Sequence, residues 1–201
     1  MDARDLPAEF APFALATVTL DERATLFRQG DPARCLYFLR SGRVRLIRQS
    51  ESGHALVLHV ARAGATFAEG ALFAQTYHCD AMAASEAIAV SLDKQALLAH
   101  LASEPALAMR MLERVTRQLH HARALAEMRN IRSAKARVLA HLRLSARGSG
   151  QTVELDGPQA EIADELGLSA EAVYRCLAQL AREGAIARDG RRIVLLPPAE
   201  T

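Results

Sequence analysis

The sequence predicts an α+β fold in which an N-terminal β jelly-roll barrel is followed by one long helix and a compact helical region with a terminal β-hairpin. Three observations carry this prediction. The first hundred of the 201 residues alternate short apolar runs with turn signals. From about Pro105 to Met128 a helical pattern continues with little interruption. Beyond it, two short helical patterns flank Gly167.

Strands are predicted where the apolar runs occur, for example in LYFL, VRLI and ALVLHV. The segments between the runs, such as RQGDPA, RSGR and RAGAT, contain the glycine, proline and polar residues typical of turns. Strands at such close spacing are typical of a small barrel or jelly roll. The turn at Ser41–Gly42 predicts a hairpin between two of the strands.

The composition is that of an ordinary globular protein, with half of the residues hydrophobic and 24% charged. No apolar run approaches the length of a membrane span and no signal-peptide pattern is found, so we expect a cytoplasmic protein without a membrane partner. The three cysteines, Cys35, Cys79 and Cys176, are too dispersed to suggest a disulfide framework.

Basic residues are concentrated in one part of a chain whose net charge is only +2. Residues 103–147 contain ten basic residues against three acidic ones, a local excess of seven positive charges. Such a region is able to contact nucleic-acid phosphates. A solvated, arginine-rich helix face explains the same excess, and charge alone favours that explanation.

The long helix carries apolar residues at approximately heptad spacing. A helix of this length standing alone would expose them, whereas a parallel helix from a second subunit would cover them. We therefore predict a homodimer, with packing of the helix on its own domain as the alternative. The candidate interface residues are Met111, Val115, Leu119 and Ala122.

A helix-turn-helix pattern lies near the C-terminus. Its first helix ends at Gly167, and Ser169 is placed to cap the second helix, whose inner face carries Val173 and Leu177. The segment GAIARDGRRIVLL then predicts a β-hairpin around Asp189–Gly190, which is the wing of a winged helix-turn-helix. An ordinary helical hairpin with a solvated outer face is the alternative.

The outer face of the second helix has the residue types that base recognition requires. Small side chains allow a helix to enter the major groove, where Arg175 is able to bond bidentately to guanine and Glu171 to accept from the amino group of cytosine. Double-stranded DNA is therefore the predicted partner. The candidate DNA-binding residues are Ser169, Ala170, Glu171, Tyr174 and Arg175.

The order of these elements resembles the Crp/Fnr family of bacterial transcription regulators. The resemblance covers nearly the whole chain and rests on the segments LFRQGDPARCLYFLRSGRVRLI, FAEGALF and AEIADELGLSAEAVYRCLAQLAREGAI. It implies a cyclic-nucleotide-binding-like effector barrel at residues 1–102, a dimerisation helix at 103–129 and a winged helix-turn-helix DNA-binding domain at 130–201. It also implies sequence-specific binding of near-palindromic promoter sites as a homodimer, with RNA polymerase as a further partner.

The same resemblance assigns roles on the second helix. Glu171 and Arg175 match the two base-reading positions that most of the family shares, whereas Ala170 and Tyr174 match positions that vary between the operators of subfamilies. The nucleotide-activated members carry an arginine at the position of Ala170, so this chain departs from them there.

The candidate effector pocket, at Glu69, His78, Cys79 and Asp80, also departs from the family pattern. Glu69 matches the acidic residue that binds ribose, but the arginine–serine pair that ends the family's phosphate cassette aligns with Cys79 and Asp80. A cyclic phosphate needs a cation and backbone donors, and an aspartate in that place would repel it. We therefore predict that the chain does not bind cyclic AMP. A DNA-binding protein without any effector is the alternative.

No cofactor is predicted, although haem is left open because His78 lies beside Cys79, with His120 and His121 on the long helix. No cysteine cluster precedes Cys35, which argues against an iron–sulfur cluster. Cys79 is also a candidate redox sensor, but the aspartate beside it works against the low pKa that thiol reactivity requires.

The competing function is a small β-barrel enzyme of the cupin type with an accessory helical domain. Its metal site would use His54, His59 and Glu69, whose spacing lacks a His-x-His pair. No nucleophile motif or phosphate-binding loop is found in the sequence. The sequence therefore predicts a regulator, with neither a catalytic residue nor a metal site.

Overall fold

The computed structural model describes residues 4–49, 55–146, 151–155 and 159–197. The chain forms two compact units that divide between residues 118 and 119. The first unit contains two β-sheets, and the second contains a small sheet and three complete helices. The predicted α+β class is confirmed.

Eight strands of the first unit form two antiparallel four-stranded sheets, as in a jelly roll. The strands are β1 (Ala14–Leu20), β2 (Thr25–Phe27), β3 (Cys35–Ser41), β4 (Arg43–Gln49), β5 (Ala55–Arg62), β6 (Thr66–Phe67), β7 (Asp80–Ala83) and β8 (Ala87–Asp93). One sheet has the order β1-β8-β3-β6, and the other has the order β2-β7-β4-β5. The turn at Ser41–Gly42 joins β3 of one sheet to β4 of the other. These two strands do not pair with each other, so the hairpin expected there is wrong.

The core between the two sheets contains a row of four stacked aromatic rings. Phe27 lies against Tyr77 with 3.8 Å between the ring centroids. Tyr37 connects Phe27 to Phe67, with centroid distances of 5.6 and 5.3 Å. Buried alanines, leucines and valines of β3, β4, β7 and β8 surround these rings. The space between the sheets therefore holds aromatic side chains of the chain itself.

A second core lies on the other face of β3. Helix α1 (Lys94–Ser103) and the first turns of α2 (Pro105–Arg129) contribute Leu97, Leu107 and Met111 to it. Successive residues of a strand point to opposite faces, so β3 contacts the aromatic row on one side and these helices on the other.

The second unit has the predicted winged helix-turn-helix order. Its further elements are α3 (Ala134–Ser145), β9 (Thr152–Glu154), α4 (Gln159–Leu166), α5 (Ala170–Arg182), β10 (Ile186–Asp189) and β11 (Arg192–Leu195). The strands form an antiparallel sheet of order β10-β11-β9. Val173, Leu177 and Leu180 of α5 are buried in its core together with Val138 and Leu142 of α3.

Helix α2 supplies apolar residues to both units. Leu107 and Met111 are buried in the first, and Leu125 and Met128 are buried in the second. The candidate interface residue Met111 therefore lies in the core of its own unit. Heptad spacing and 3.6-residue spacing coincide over a few turns, so the sequence alone does not say which of two neighbouring apolar rows faces inward. The compact units divide inside α2, whereas the sequence scheme keeps residues 103–129 as one segment.

The turn between β3 and β4 requires glycine at position 42. Gly42 has a φ of +79°, and a Cβ atom there would lie 2.1 Å from the carbonyl oxygen of Glu86. We expect Gly42→Ala to lower the free energy of unfolding by at least about 2 kcal/mol, because left-handed backbone strain and overlap with main chain act together. Urea or thermal unfolding measures the loss.

Gly30→Ala is the matched control for this measurement. Gly30 also has a left-handed φ, +91°, but the position of its added Cβ is open. Gly30→Ala should lower the free energy of unfolding only by the cost of the left-handed backbone, about 1 kcal/mol. Equal losses in the two variants would contradict a role for the close approach to Glu86.

Candidate DNA-binding surface and effector site

Helix α5 is set at a fixed angle to α4 by a short turn. Gly167 adopts a left-handed conformation, with a φ of +63°, that a residue with a Cβ atom rarely takes. Ser169 then caps α5, because its Oγ accepts the Ala172 N–H at 3.2 Å. Glu171 lies in the first turn, where the helix dipole favours a negative charge. The predicted cap is therefore present in the structure.

The two faces of α5 differ completely in exposure. Its inner face is buried, including Cys176. The outer face of its N-terminal half is exposed to solvent, and Tyr174 is an uncommonly large apolar surface residue there at 59% exposure. The candidate residues that lie together on this exposed face are Ser169, Ala170, Glu171, Tyr174 and Arg175.

Glu171 and Arg175 face each other one turn apart on this surface. Their closest N···O distance is 3.9 Å, and both side chains are more than two-thirds exposed. An exposed pair at this spacing stabilises a helix by only about 0.2–0.5 kcal/mol. Both groups are therefore able to exchange this contact for a base edge at little cost.

The hairpin after α5 brings further arginines to the same unit. Arg188 lies on β10 and Arg192 on β11, with Arg191 in the connecting turn. Arg191 is tied to β9, since its Nε donates to Leu155 O at 2.8 Å. The interpretation of the sequence left out these arginines, although three basic residues within a predicted wing were a usable signal.

Three basic residues of the region 103–147 belong to the first unit, and all three form ion pairs within it. Arg110 and Arg114 form ion pairs with Glu9 at 3.0 and 3.2 Å. Arg117 pairs with Glu113 one helical turn away at 2.7 Å. Arg110 and Arg114 therefore connect α2 to the N-terminal segment, whereas the pair of Arg117 stays within α2.

Three basic residues of the second unit are also engaged within the chain. Lys135 pairs with Glu183 at 2.7 Å, and this ammonium group holds the pKa of Glu183 below its usual value. Arg129 and Arg137 donate to main-chain carbonyl groups. Six of the ten basic residues thus contact other groups of the chain, which favours a role in the fold over contact with phosphates. Arg147 lies outside the described residues. The basic residues of this region for which the described chain offers no hydrogen bond or ion pair are Arg123, Arg132 and Arg143.

In the barrel, the candidate effector residue Glu69 is engaged by the chain itself. It begins a short 3-10 helix, Glu69–Phe73, directly after Ala68, which has a left-handed φ of +64°. Its Oε1 accepts hydrogen bonds from Thr66 Oγ1 and, at 2.8 Å, from Gln118 Nε2 of α2. A ribose hydroxyl would have to compete with both donors for this carboxylate.

Cys79 and Asp80 point to different surroundings. Cys79 is 2% exposed and belongs to the core between the sheets. Burial raises the pKa of its thiol; Asp80 raises it further and Arg48 opposes the shift. Asp80 and the buried Ala81 are neighbours on β7 and lie on its opposite faces. Asp80 Oδ1 accepts a hydrogen bond from the Gln29 N–H at 2.7 Å. The sequence placed the charge of Asp80 where a cyclic phosphate would bind. In the structure the residue that faces the core is instead Cys79, an uncharged thiol.

His78 is exposed beside this position. Its ring lies close over Gly70, where an added Cβ would be 3.0 Å from the ring carbon Cε1. Its carbonyl oxygen accepts two hydrogen bonds from the guanidinium of Arg48, both at 3.2 Å. Arg48 is the cation that opposes the rise in the pKa of Cys79, and it was not among the residues singled out from the sequence.

The residues considered for a metal site are not brought together in the described part of the chain, where no group of three potential ligands is found. His59 lies on β5 opposite Leu46 of β4, and Glu69 is hydrogen-bonded as above. His54 lies outside the described residues.

A row of exposed apolar residues follows α2 beside its buried face. Leu112, Val115 and Leu119 are 58%, 38% and 48% exposed, and Ala122 continues the row at the same three- and four-residue spacing. Leu112 takes the place in this row that the sequence interpretation gave to Met111. Apolar residues at heptad spacing on an exposed helix face fit a second helix.

Comparison with known proteins connects both units to described domains. Residues 17–104 match the cyclic nucleotide-binding domain, and residues 136–200 match the Crp-like helix-turn-helix domain. The transcriptional regulator LdrP of Thermus thermophilus is 33% identical over 177 residues, which cover 87% of this chain and 89% of that protein. A CRP-like cAMP-activated global transcriptional regulator of Mycobacterium tuberculosis is 29% identical, covering 85% of this chain and 80% of that protein.

Solved structures share the fold. FixK2 from Bradyrhizobium japonicum has a TM-score of 0.75 at 21% identity, over 90% of this chain and 92% of that one. None of the described helices is both long and apolar enough to span a membrane.

Proposed function

Because the chain belongs to the Crp/Fnr family of DNA-binding transcription regulators, we propose that it binds near-palindromic promoter sites as a homodimer, independently of cyclic AMP. It is a regulator rather than an enzyme, which sets aside the cupin-type alternative. The division of labour is an effector barrel at residues 1–102, a dimerisation helix at 103–129 and a DNA-binding domain at 130–201. The observation that carries the proposal is the exposed N-terminal face of α5 opposite its fully buried inner face.

DNA recognition begins with α5 in the major groove. Its N-terminal half presents two small residues, Ser169 and Ala170, that allow close approach of the helix to base edges. Arg175 bonds to a guanine and Glu171 accepts from the cytosine amino group, the pairings that their geometry favours. Tyr174 contacts a thymine methyl group or stacks beside it. By family resemblance, each half-site contains a TGA-like core.

The backbone contacts come from the same unit. The wing residues Arg188 and Arg192 are charged and lie on the hairpin that follows α5, so they serve phosphate contacts. Phosphate contacts position the unit on the duplex without choosing a sequence. A two-fold symmetric dimer then places two recognition helices on half-sites about one helical turn, roughly 10 bp, apart.

The homodimer is held by the apolar row of α2. Leu112, Val115, Leu119 and Ala122 expose apolar surface at heptad spacing, and a parallel copy of α2 covers it. Burial of such surface contributes roughly 25 cal/mol for each Å² removed from water. Met111 is excluded from this interface because it is buried in its own unit.

The lining of the barrel supports independence from cyclic AMP. The position that matches the phosphate-binding arginine holds Cys79, whose raised pKa keeps the thiol neutral. The interior beside it holds the aromatic row of Phe27, Tyr77, Tyr37 and Phe67. Glu69 is occupied by Thr66 and Gln118. At the matching position a cyclic phosphate would meet a buried, neutral thiol in place of a cation, and an unpaired buried charge is strongly disfavoured.

No resident cofactor is proposed. A haem held by His78 or Cys79 gains little support from the described geometry, because His78 is exposed while the thiol beside it is buried and uncharged. A redox role for Cys79 is opposed by the same raised pKa, since the thiolate is the reactive form. RNA polymerase is the further partner expected of such a regulator, and the cytoplasm is its expected compartment.

Base recognition by Arg175 predicts a specific loss. Arg175→Ala should weaken binding to the selected site by about 1–3 kcal/mol and flatten the preference at one G·C pair in each half-site, because the bidentate contact to guanine is removed. Selection of bound sites from a random DNA pool, run in parallel for both proteins, measures the change.

Arg182→Ala is the control for loss of charge, because Arg182 lies at the far end of the same helix. It should leave the selected motif unchanged. Arg175 does not read the base if Arg175→Ala selects the same motif with the same information at the G·C pair. If the wild type selects no motif, an inactive conformation has to be excluded before the proposed function is abandoned.

Dimerisation through α2 predicts that charge at its apolar row separates the subunits. Val115→Glu should weaken the dimer at least tenfold, about 1.4 kcal/mol, because two carboxylates then meet across the seam. Light scattering at micromolar concentration measures it, and DNA binding should fall in parallel. Thr116→Glu adds the same charge at an exposed neighbour outside the row and should leave the dimer intact. A monomeric wild type contradicts the proposal.

Cyclic AMP should not bind the barrel at concentrations below about millimolar, a threshold that corresponds to about 4 kcal/mol. Titration calorimetry tests this, with the cAMP-activated relative from Mycobacterium tuberculosis as positive control. DNA binding by the protein should be the same with and without the nucleotide. Saturable binding at lower concentration would refute the argument from the barrel lining.

A further inference from the structure

Each of the last four carbonyl groups of α4 accepts a hydrogen bond from outside the helix. The last four carbonyl groups of any helix lack partners within the helix. Here the turn satisfies the first two, because Leu168 N–H donates to Ala163 O at 2.8 Å and Gly167 N–H to Asp164 O at 3.4 Å. The carbonyls of Glu165 and Leu166 remain for other donors.

Two arginines supply those donors. Arg129 Nε donates to Glu165 O at 3.1 Å, and Arg137 Nη1 donates to Leu166 O at 2.9 Å. Cations at a helix C-terminus also interact favourably with its dipole. The end of α4, which immediately precedes the turn into the recognition helix, is thus held by guanidinium groups from outside the motif.

The two arginines reach this point from different elements. Arg137 belongs to α3 and also donates twice to Ile131 O, at 3.2 and 2.8 Å, so it fixes the loop before α3 as well. Arg129 is the last residue of α2, and its Nε donates a hydrogen bond to Glu165 O. Arg129 therefore ties the end of α2 to the helix-turn-helix.

The acceptor is rigidly placed. The side chain of Glu165 is only 5% exposed and faces His141 of α3, with 3.6 Å between Oε2 and Nε2. Arg129 therefore contacts the main chain of a residue whose side chain is packed between helices. Movement of the Arg129 guanidinium acts on the backbone at the end of α4, one residue before Leu166 and two before Gly167.

We propose that Arg129 is a positioning residue: from the end of α2 it sets the turn between α4 and α5 and so the presentation of the base-reading face. The inference rests on the proposed DNA-binding function. It assigns Arg129 no contact with DNA, although the charge of this residue on a basic stretch suggests a phosphate contact. The hydrogen bond to Glu165 O and the remaining contacts of the α4 terminus carry the assignment.

The experiment compares Arg129→Ala with Arg143→Ala. Arg143 is an exposed arginine of the same unit with no hydrogen bond or ion pair in the described chain, so it controls for loss of one positive charge. Affinity for the selected DNA site is measured over a range of salt concentrations. Amide hydrogen exchange at Gly167 and Leu168 is measured in the DNA-free protein, and light scattering records the dimer.

Arg129→Ala should lose about tenfold in site affinity with the slope of log K against log salt unchanged, and the exchange at Gly167 and Leu168 should become faster. Arg129→Lys, which keeps a donor, should recover part of both losses. Arg143→Ala should alter neither the exchange nor the site preference.

A slope reduced by about one would identify a phosphate contact instead and overturn the proposal. Unchanged exchange at the turn would overturn it too, including when the dimer or DNA affinity is lost for another reason. If the wild type binds no DNA, the proposed function fails while the exchange measurement still decides whether Arg129 holds the turn.

Discussion

The packing of α2 constrains most of what the molecule does. Leu107 and Met111 are committed to one core and Leu125 and Met128 to the other, so the rotation of the helix about its axis is fixed in both units. At 100° per residue, the row from Leu112 to Ala122 then lies about a quarter of a turn away from this buried face. That row is exposed to solvent, and it is the surface that a second copy would cover in the proposed homodimer.

The first unit matches the cyclic nucleotide-binding domain, and the proposed independence from cyclic AMP concerns the side chains that line its barrel. A binding site for a charged nucleotide needs polar groups that wait unpaired for the ligand. In this chain Glu69 is paired with Thr66 and Gln118, and Cys79 brings a neutral thiol to the place of the cation. The stacked aromatic rings lie in the core between the two sheets.

Periodicity in the sequence was sufficient for the order of the elements, the recognition helix and the wing, because each depends on local spacing, caps and turns. The direction in which each side chain points was harder to predict from the sequence. Met111 and Leu112 are neighbours with similar propensities, and only packing decides which one is buried. Asp80 was expected to face a ligand, but strand alternation turns it toward Gln29. Arg48 approaches Cys79 from another strand, a relation that depends on sheet register and has no signal along the chain.

The arginines of this chain illustrate why charge counts are weak evidence for a nucleic-acid interface. Five arginines of the region 103–147 contact Glu9, Glu113 or main-chain carbonyls, whereas Arg175 is exposed and holds only a weak pair with Glu171. Salt-dependent attraction to phosphates requires exposed cations, but sequence choice requires a few side chains held at defined positions. In the proposed mechanism, a guanidinium that satisfies a helix terminus contributes to specificity without touching DNA, because it fixes the backbone from which another guanidinium reaches a base.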